Sequence, residues 1–314
     1  MPPRPASRAQ RLAWRAEMAA YDALSGVLRL FPVSWVSGAG GVLFRAVGPL
    51  TSLHRLAERN VRLAFPELDA EGRRRLLAAQ WDNLGRTLFE FPLTDRITPA
   101  TGRVEVVGAE RFHALARSGE GAVLVSGHFA NWEVMAAAIV STGLRCRVTY
   151  RAANNPLFDR RIIETRARYG VELFAPKGGE GGREMLDSLR GGEAVAFLND
   201  QKFNTGVEAP FFNRPVRTAG GPTRLALRFG RRLHPMSVKR LPKARFRVTI
   251  HAPIELDASG DRERDLQAGV AKLNAFVEAR IREAPSEWFW VHKRWPNAAY
   301  AELADEGRRP TPTP

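Results

Sequence analysis

The chain is poor in several things that would settle its chemistry at once. Among its 314 residues there is one cysteine, Cys146. An intrachain disulfide is therefore impossible and a cysteine-based zinc site is all but excluded. Cys146 sits in the strand-like LRCRVTY and reads as a small buried hydrophobe. No apolar run reaches the roughly 20 residues that a bilayer-spanning helix needs. The most apolar early stretch, residues 30–44, has 15 uncharged residues between Arg29 and Arg45, interrupted by Pro32 and the Gly38–Gly41 cluster. It reads as a hairpin or interfacial helix, with a tilted single span and a soluble core helix as the alternatives. Arg4, Arg8, Arg11 and Arg15 are followed by no compact apolar run with a small-residue cleavage site, so the start does not read as a signal peptide. Acidic residues are also scarce: 33 Asp and Glu against 48 Lys and Arg, a formal charge of +15. That balance points to an anionic partner, whether nucleic acid, anionic lipid or an acidic carrier protein.

What is present falls into three parts. Residues 1–100 are mainly helical, a membrane-associating region if the early apolar stretch lies in a leaflet. Leu76, Leu77, Trp81, Leu84, Leu88 and Phe91 recur near the helical period. From about residue 103 short β-branched runs alternate with helices: RVEVVG, AVLVSG, RCRVTYRA, VELFA and AVAFLND, separated by helical stretches. This predicts an α/β fold over 101–297, with a mostly parallel, buried sheet flanked by helices. Residues 298–314 end in EGRRPTPTP and read as a flexible tail.

The sharpest motif is Val123-Leu-Val-Ser-Gly-His-Phe-Ala-Asn-Trp-Glu133. An apolar strand runs into Gly127, then His128, then a helix start near Asn131. Two helical positions five apart diverge by roughly 140°. His128 and Glu133 can therefore meet only if His128 lies on the turn before the helix. There Glu133 would fix the imidazole tautomer, and the second ring nitrogen would take a proton from a substrate hydroxyl. The setting at the carboxyl end of a buried strand is where open α/β sheets bind ligands. A structural His/Glu pair is the alternative at this point. Competing chemistries lack their signatures: Ser126 is not in a G-x-S-x-G elbow, and there is no H-E-x-x-H. Lys177–Gly182 is glycine-rich without the G-K-[ST] ending of a P-loop; it is either the loop before a helix or a phosphate cradle at the helix start.

SGHFANWE resembles the His-x4-Glu/Asp box of the late acyltransferases of bacterial lipid A biosynthesis, the lauroyl/myristoyl group. RNVRLAFPEL (59–68), WDNLGRTLFE (81–90), YRAANNPLFDRRIIETRARYG (150–170), LNDQ (198–201), FFNRPVRTAGGPTRLALRFG (211–230), HPMSVKR (234–240) and PSEWFWVHKRW (285–295) follow in the family's order, covering about 20–297. The resemblance implies a glycerolipid-acyltransferase-like fold and O-acyl transfer without metal or cofactor. The donor would be an acyl thioester on acyl carrier protein, and the acceptor a hydroxyl of a lipid A precursor. The work would be done at the cytoplasmic face of the inner membrane, by a monotopic or singly spanning protein. His128 is then the general base and Glu133 its partner. Arg151 matches the family's arginine after the third strand, as a phosphate or oxyanion ligand or the ion-pair partner of Asp159 or Glu164. Asp200 matches the acid of the D-Q step, and it supports the base, holds Arg151 or caps a turn. Asn131 is a helix cap or a substrate ligand. One departure is Asn213, where the family's text has glycine; it bears on the loop and on the acyl tunnel's shape. The resemblance implies no oligomeric state.

Residues 209–254 hold 11 Lys and Arg and no acid. They predict a positive face, either generic surface charge or a docking site for an acidic carrier and anionic headgroups. No nucleic-acid-binding motif accompanies it. Trp288, Phe289, Trp290 and Trp295 suit either a membrane interface or a strand with buried aromatics. Two rivals remain at this stage: an acyl-CoA-dependent acyltransferase of another glycolipid or lysophospholipid, and a non-enzymatic membrane-binding scaffold of the same fold.

Overall fold

The computed structural model describes residues 7–306 apart from 151–152, 169, 172–173 and 177–178. Four helices come first: α1 (Arg8–Leu28), α2 (Val33–Val47), α3 (Ser52–Ala64) and α4 (Ala70–Glu90). Alternating strands and helices follow: β1 (Val104–Val107), α5 (Ala109–Ser118), β2 (Val123–Ser126), α6 (Val134–Ser141), β3 (Cys146–Tyr150), α7 (Pro156–Ala167), β4 (Phe174–Pro176), α8 (Gly179–Arg190) and β5 (Ala194–Leu198). The chain closes with the hairpin β6 (Lys202–Phe211) and β7 (Arg214–Thr218), then α9 (Gly221–Arg228), β8 (Leu233–Leu241), β9 (Arg245–Ile250), α10 (Arg262–Glu283) and α11 (Asn297–Glu306).

The main sheet has seven strands in the order β1-β9-β8-β2-β5-β3-β4. Every neighbouring pair is parallel except β8 with β9. β2 is buried along its whole length, as a central strand covered by helices on both faces must be. This is the expected α/β fold. Its core does not stop at the change of element type near residue 100. One apolar cluster joins Val33, Val61 and Trp81 of the helical region to Leu124, Phe246 and Trp290. Cys146 is buried as expected, and burial pushes its thiol pKa up.

The glycines that interrupt the early apolar stretch have a packing role. A Cβ on Gly40 would stand 2.4 Å from the Gly85 carbonyl oxygen, and one on Gly85 would stand 2.1 Å from that of Gly40. α2 and α4 therefore meet backbone to backbone. Among the described residues, no helix is long and apolar enough to cross a membrane. What remains is an uncovered apolar surface at the α1–α2 turn, on α2 and just beyond it. Leu30 is 80% exposed, Trp35 69% and Leu50 85%, with Val42, Leu43 and Val47 beside them.

Three local expectations change. α11 stands where the flexible tail was expected to begin. Its Ala299, Tyr300 and Leu303 are buried, and the Tyr300 hydroxyl donates to Asn60 Oδ1 at 2.6 Å, so core contacts hold a segment that composition alone made look loose. Trp288, Trp290 and Trp295 are neither a membrane belt nor a strand. They lie fully buried in an irregular segment, which Asn60 fixes by donating to the carbonyls of Trp290 and His292. Asn213 lies on the two-residue turn of the β6–β7 hairpin, with Phe212 at φ +48° and Asn213 at φ +56°. This is the left-handed region where asparagine is the best replacement for glycine, and the turn does not line the central cavity.

Candidate active site

β2 and β5 are distant in sequence but adjacent and parallel in the sheet, with Ser126 opposite Leu198. Two residues beyond each partner come His128 and Asp200. The register therefore brings an imidazole and a carboxylate together at the carboxyl edge of the sheet. Asp200 Oδ1 lies 2.6 Å from His128 Nδ1, and Oδ2 accepts from the His128 backbone N–H at 2.7 Å. The same Oδ2 accepts from the Trp288 indole N–H at 2.7 Å. Gly127 leaves room for this approach, since a Cβ there would stand 3.0 Å from Asp200 Oδ2 and 2.7 Å from the Phe129 ring.

Asp200 is fully buried. Burial opposes its ionisation, but the imidazole charge and the hydrogen bonds from His128 outweigh that, and its pKa falls well below the usual carboxylate range. An ionised Asp200 only accepts, so Nδ1 carries the proton of the neutral ring and Nε2 keeps the lone pair. Trp132 and Phe289 flank the ring at centroid distances of 5.1 and 6.0 Å. His292 stacks on Phe289 and bonds the Phe289 carbonyl oxygen through Nδ1. Burial lowers its pKa, so it stays neutral beside the dyad.

His128 lines a cavity of about 430 Å³. Leu124, Met135, Ile139, Val148, Ala196 and Met236 give it apolar walls, and Glu133, Arg166, Tyr150 and Gln201 give it polar ones. This suits a ligand with a long apolar part and a few polar groups. Among the described residues no cluster of His, Cys, Asp and Glu could hold a metal.

The expected partner of the imidazole needs correcting. Glu133 is the N-cap of α6, and its carboxylate is held by Arg166 of α7 in a bidentate pair at 2.8–3.0 Å. Its backbone N–H donates to Asn131 Oδ1 at 3.2 Å. The turn does place His128 ahead of the helix, but Asp200 reaches Nδ1 from the neighbouring strand and Glu133 is turned to the cation across the cavity. Asp200 is thus the carboxylate bonded to the imidazole. Asn131 is buried and does not line the cavity; it accepts from the Glu133 N–H and donates to Glu90 Oε2 at 2.9 Å, contacts within the loop and to α4. Arg151 lies outside the described residues, as do Lys177 and Gly178 of the glycine-rich segment. The helix expected after that segment begins at Gly179. Of the two alternative ion-pair partners for Arg151, Asp159 accepts from the Ala153 N–H at 2.8 Å and Glu164 lies 3.5 Å from Arg161.

Two contributors escaped the motif reading. Arg166 lay inside a quoted block with no role attached. Trp288 lay in an aromatic cluster that pointed elsewhere.

The description "Bacterial lipid A biosynthesis acyltransferase" matches residues 8–297. The chain belongs to that family. Similar proteins include a lipid A biosynthesis lauroyltransferase of Escherichia coli (strain K12), 28% identical, with 77% of this chain and 78% of that one covered. A phosphatidylinositol mannoside acyltransferase of Mycolicibacterium smegmatis is 26% identical, with 73% of each chain covered. A looser likeness, with a TM-score of 0.34 at 13% identity, is to the 1-acyl-sn-glycerophosphate acyltransferase of Thermotoga maritima, covering 78% of this chain and 99% of that one. Family membership makes this an acyltransferase.

Proposed function

We propose that the chain transfers a fatty acyl group from acyl carrier protein to a hydroxyl of a lipid A precursor, at the cytoplasmic surface of the inner membrane. The observation that carries the mechanism is the buried Asp200 bonded to Nδ1 of a cavity-lining His128. Nε2 takes the acceptor's hydroxyl proton as that oxygen attacks the thioester carbonyl. The tetrahedral intermediate expels the thiolate with cleavage of the C–S bond, and the imidazolium returns the proton to sulfur. The products are an oxygen ester and a free thiol, and the imidazole is regenerated. The apolar cavity walls suit the acyl chain. The exposed surface around Leu30, Trp35 and Leu50 suits an interface with lipid, as an embedded face rather than a span.

The test is transfer by purified protein from acyl carrier protein or acyl-CoA to a lipid A precursor in vesicles, read as the acceptor's gain in mass. No gain with either donor sinks the proposal. The mannoside relative favours a second acceptor, another membrane phosphoglycolipid, and the same assay with that acceptor separates the two. A scaffold role has nothing to favour it, since a scaffold has no need of an aligned, buried His/Asp pair.

Glu133 enters this chemistry through Arg166. Glu133→Gln leaves the Asp200 bond to the imidazole intact and removes the counter-charge of a mostly buried guanidinium. Expected are a fall in kcat/KM of about tenfold and an unchanged pH midpoint of the rate. A midpoint moved by about one unit would return Glu133 to the imidazole.

The basic block divides in space. Arg240 faces inward, paired with Glu90. Arg228, Arg231 and Arg232 precede β8, which runs parallel to β2, so they lie at the sheet edge opposite the site. Arg231 and Arg232 are also paired, with Glu120 and Glu255. Lys239, Lys243 and Arg245 lie roughly 25 Å away, at the edge that carries His128. Docking of an acidic carrier is assigned to these three. Charge reversal there is expected to cut kcat/KM at low carrier concentration, in a salt-sensitive way, and reversal at Arg228 and Arg232 is not. A small thioester donor should be used equally by all. Unchanged carrier-dependent rates, with release of the variant from anionic vesicles, would make the patch a membrane contact instead.

A further inference from the structure

The loop carrying His128 is held in an uncommon conformation. Ala130 has φ +42°, unusual for a residue with a Cβ. Its N–H donates to the Glu287 carbonyl oxygen at 2.7 Å, and its own carbonyl oxygen lies 3.0 Å from the Thr87 hydroxyl. The next side chain, Asn131, donates to Glu90 Oε2. Glu90 ends α4 and is fully buried. Its other oxygen accepts from the Ser37 hydroxyl of α2 at 2.6 Å and from Arg240 of β8. Arg240 also donates to Asn83 Oδ1 at 2.8 Å and to Thr87 Oγ1 at 2.9 Å, and its backbone N–H donates to Glu287 Oε2 at 3.1 Å. None of these groups lines the cavity, yet Glu287, Thr87 and Glu90 each bond the turn two or three residues after His128, and Arg240 joins all three.

We propose that Glu90 is a positioning residue for the reaction. Its carboxylate, anchored by Arg240, holds Asn131 and through it the strained turn that aims the His128 imidazole at Asp200 and the cavity. A buried anion accepting from three different elements over-determines the loop, as a conformation with positive φ at alanine requires. A dry apolar core would pack α2, α4 and β8 equally well, so the charged pair is not needed for stability alone. Its link to Ser37 extends the brace to α2, the helix whose outer face is the exposed apolar surface.

The kinetic half of the test rests on the acyl-transfer reading; the spectroscopic half does not. Glu90→Gln in the full-length protein is expected to lower kcat by about 10- to 100-fold while KM for donor and acceptor stays within about twofold, the pattern of a misplaced catalytic group. In the same protein the downfield NMR resonance of the His128 Nδ1 proton, which reports the bond to Asp200, is expected to shift or broaden. The double variant with Asn131→Ala should be no worse than the more impaired single variant, because both act through one contact. Should Glu90→Gln fail to fold, Thr87→Val keeps the Glu90–Arg240 pair and removes only a hydroxyl. It must then show the same split between kcat and KM and the same change at His128. An unmoved His128 resonance overturns the proposal, whether or not the wild type transfers acyl groups. So do an unchanged kcat and strictly additive effects of Glu90→Gln and Asn131→Ala.

Discussion

His128→Ala is expected to lower acyl transfer by about 10²- to 10⁴-fold, with folding and vesicle binding intact. The imidazole lines the cavity and is bonded to the fully buried Asp200, and its removal takes away the nitrogen placed to accept the acceptor's proton. Its side chain is 15% exposed and packs on Trp132 and Phe289, and without it Asp200 keeps the His128 backbone and Trp288 N–H donors, so the chain should still fold, at some cost in stability. Steady-state transfer rates, circular dichroism and vesicle co-sedimentation read the three properties separately. A variant retaining more than about a tenth of wild-type activity would show that His128 is not the base.

The place of His128 was legible because its signal is local. An apolar run of strand length ending in Gly-His, then a helix start, puts the imidazole at a carboxyl edge whatever the rest of the sheet does. The alternation of strands and helices likewise announced a parallel sheet, since each strand and each helix carries its own period. Strand order was not available, because no local pattern says that β5 inserts between β2 and β3. That insertion decides which acid reaches the imidazole. Glu133 is five residues from His128 and Asp200 is 72 away, and a reading confined to one motif favours the nearer acid.

The aromatic segment stayed undecided for a related reason. Composition gives Trp288, Trp290 and Trp295 two homes, lipid or core, and only the position of Asn60 and Tyr300 selects the core. The basic block was misread as one face because charge counts carry no direction. Arg240 turns inward to Glu90, while its neighbour Lys239 points to solvent by strand alternation. The tail failed at its first residues, where the polar, proline-rich end of the chain hid three buried positions in α11.

Asp200→Asn tests the tautomer argument most sharply. Three N–H donors converge on the carboxylate: two reach Oδ2, from the His128 backbone and Trp288, and Nδ1 of the imidazole reaches Oδ1. An asparagine has one oxygen. Turned toward the Oδ2 position, that oxygen satisfies the backbone and the indole, and its NH₂ faces Nδ1. Nδ1 must then accept, the ring proton moves to Nε2, and the base is lost. Turned the other way, the NH₂ meets two N–H donors in a site closed to water, the costlier arrangement. The first orientation should prevail, with kcat falling by about 10³- to 10⁴-fold and KM almost unchanged, because Asp200 does not line the cavity. Nitrogen chemical shifts of His128 would show protonation moving from Nδ1 to Nε2. The substitution should also alter stability against pH. A carboxyl held below its ordinary value near 3.8 contributes stability above that pH and loses it as pH falls further. The gap in Tm between wild type and Asp200→Asn should therefore narrow once the pH drops below about 4. A variant that keeps Nδ1 protonated and works within tenfold of wild type would mean that His128 holds its tautomer without Asp200, and the base would need another explanation.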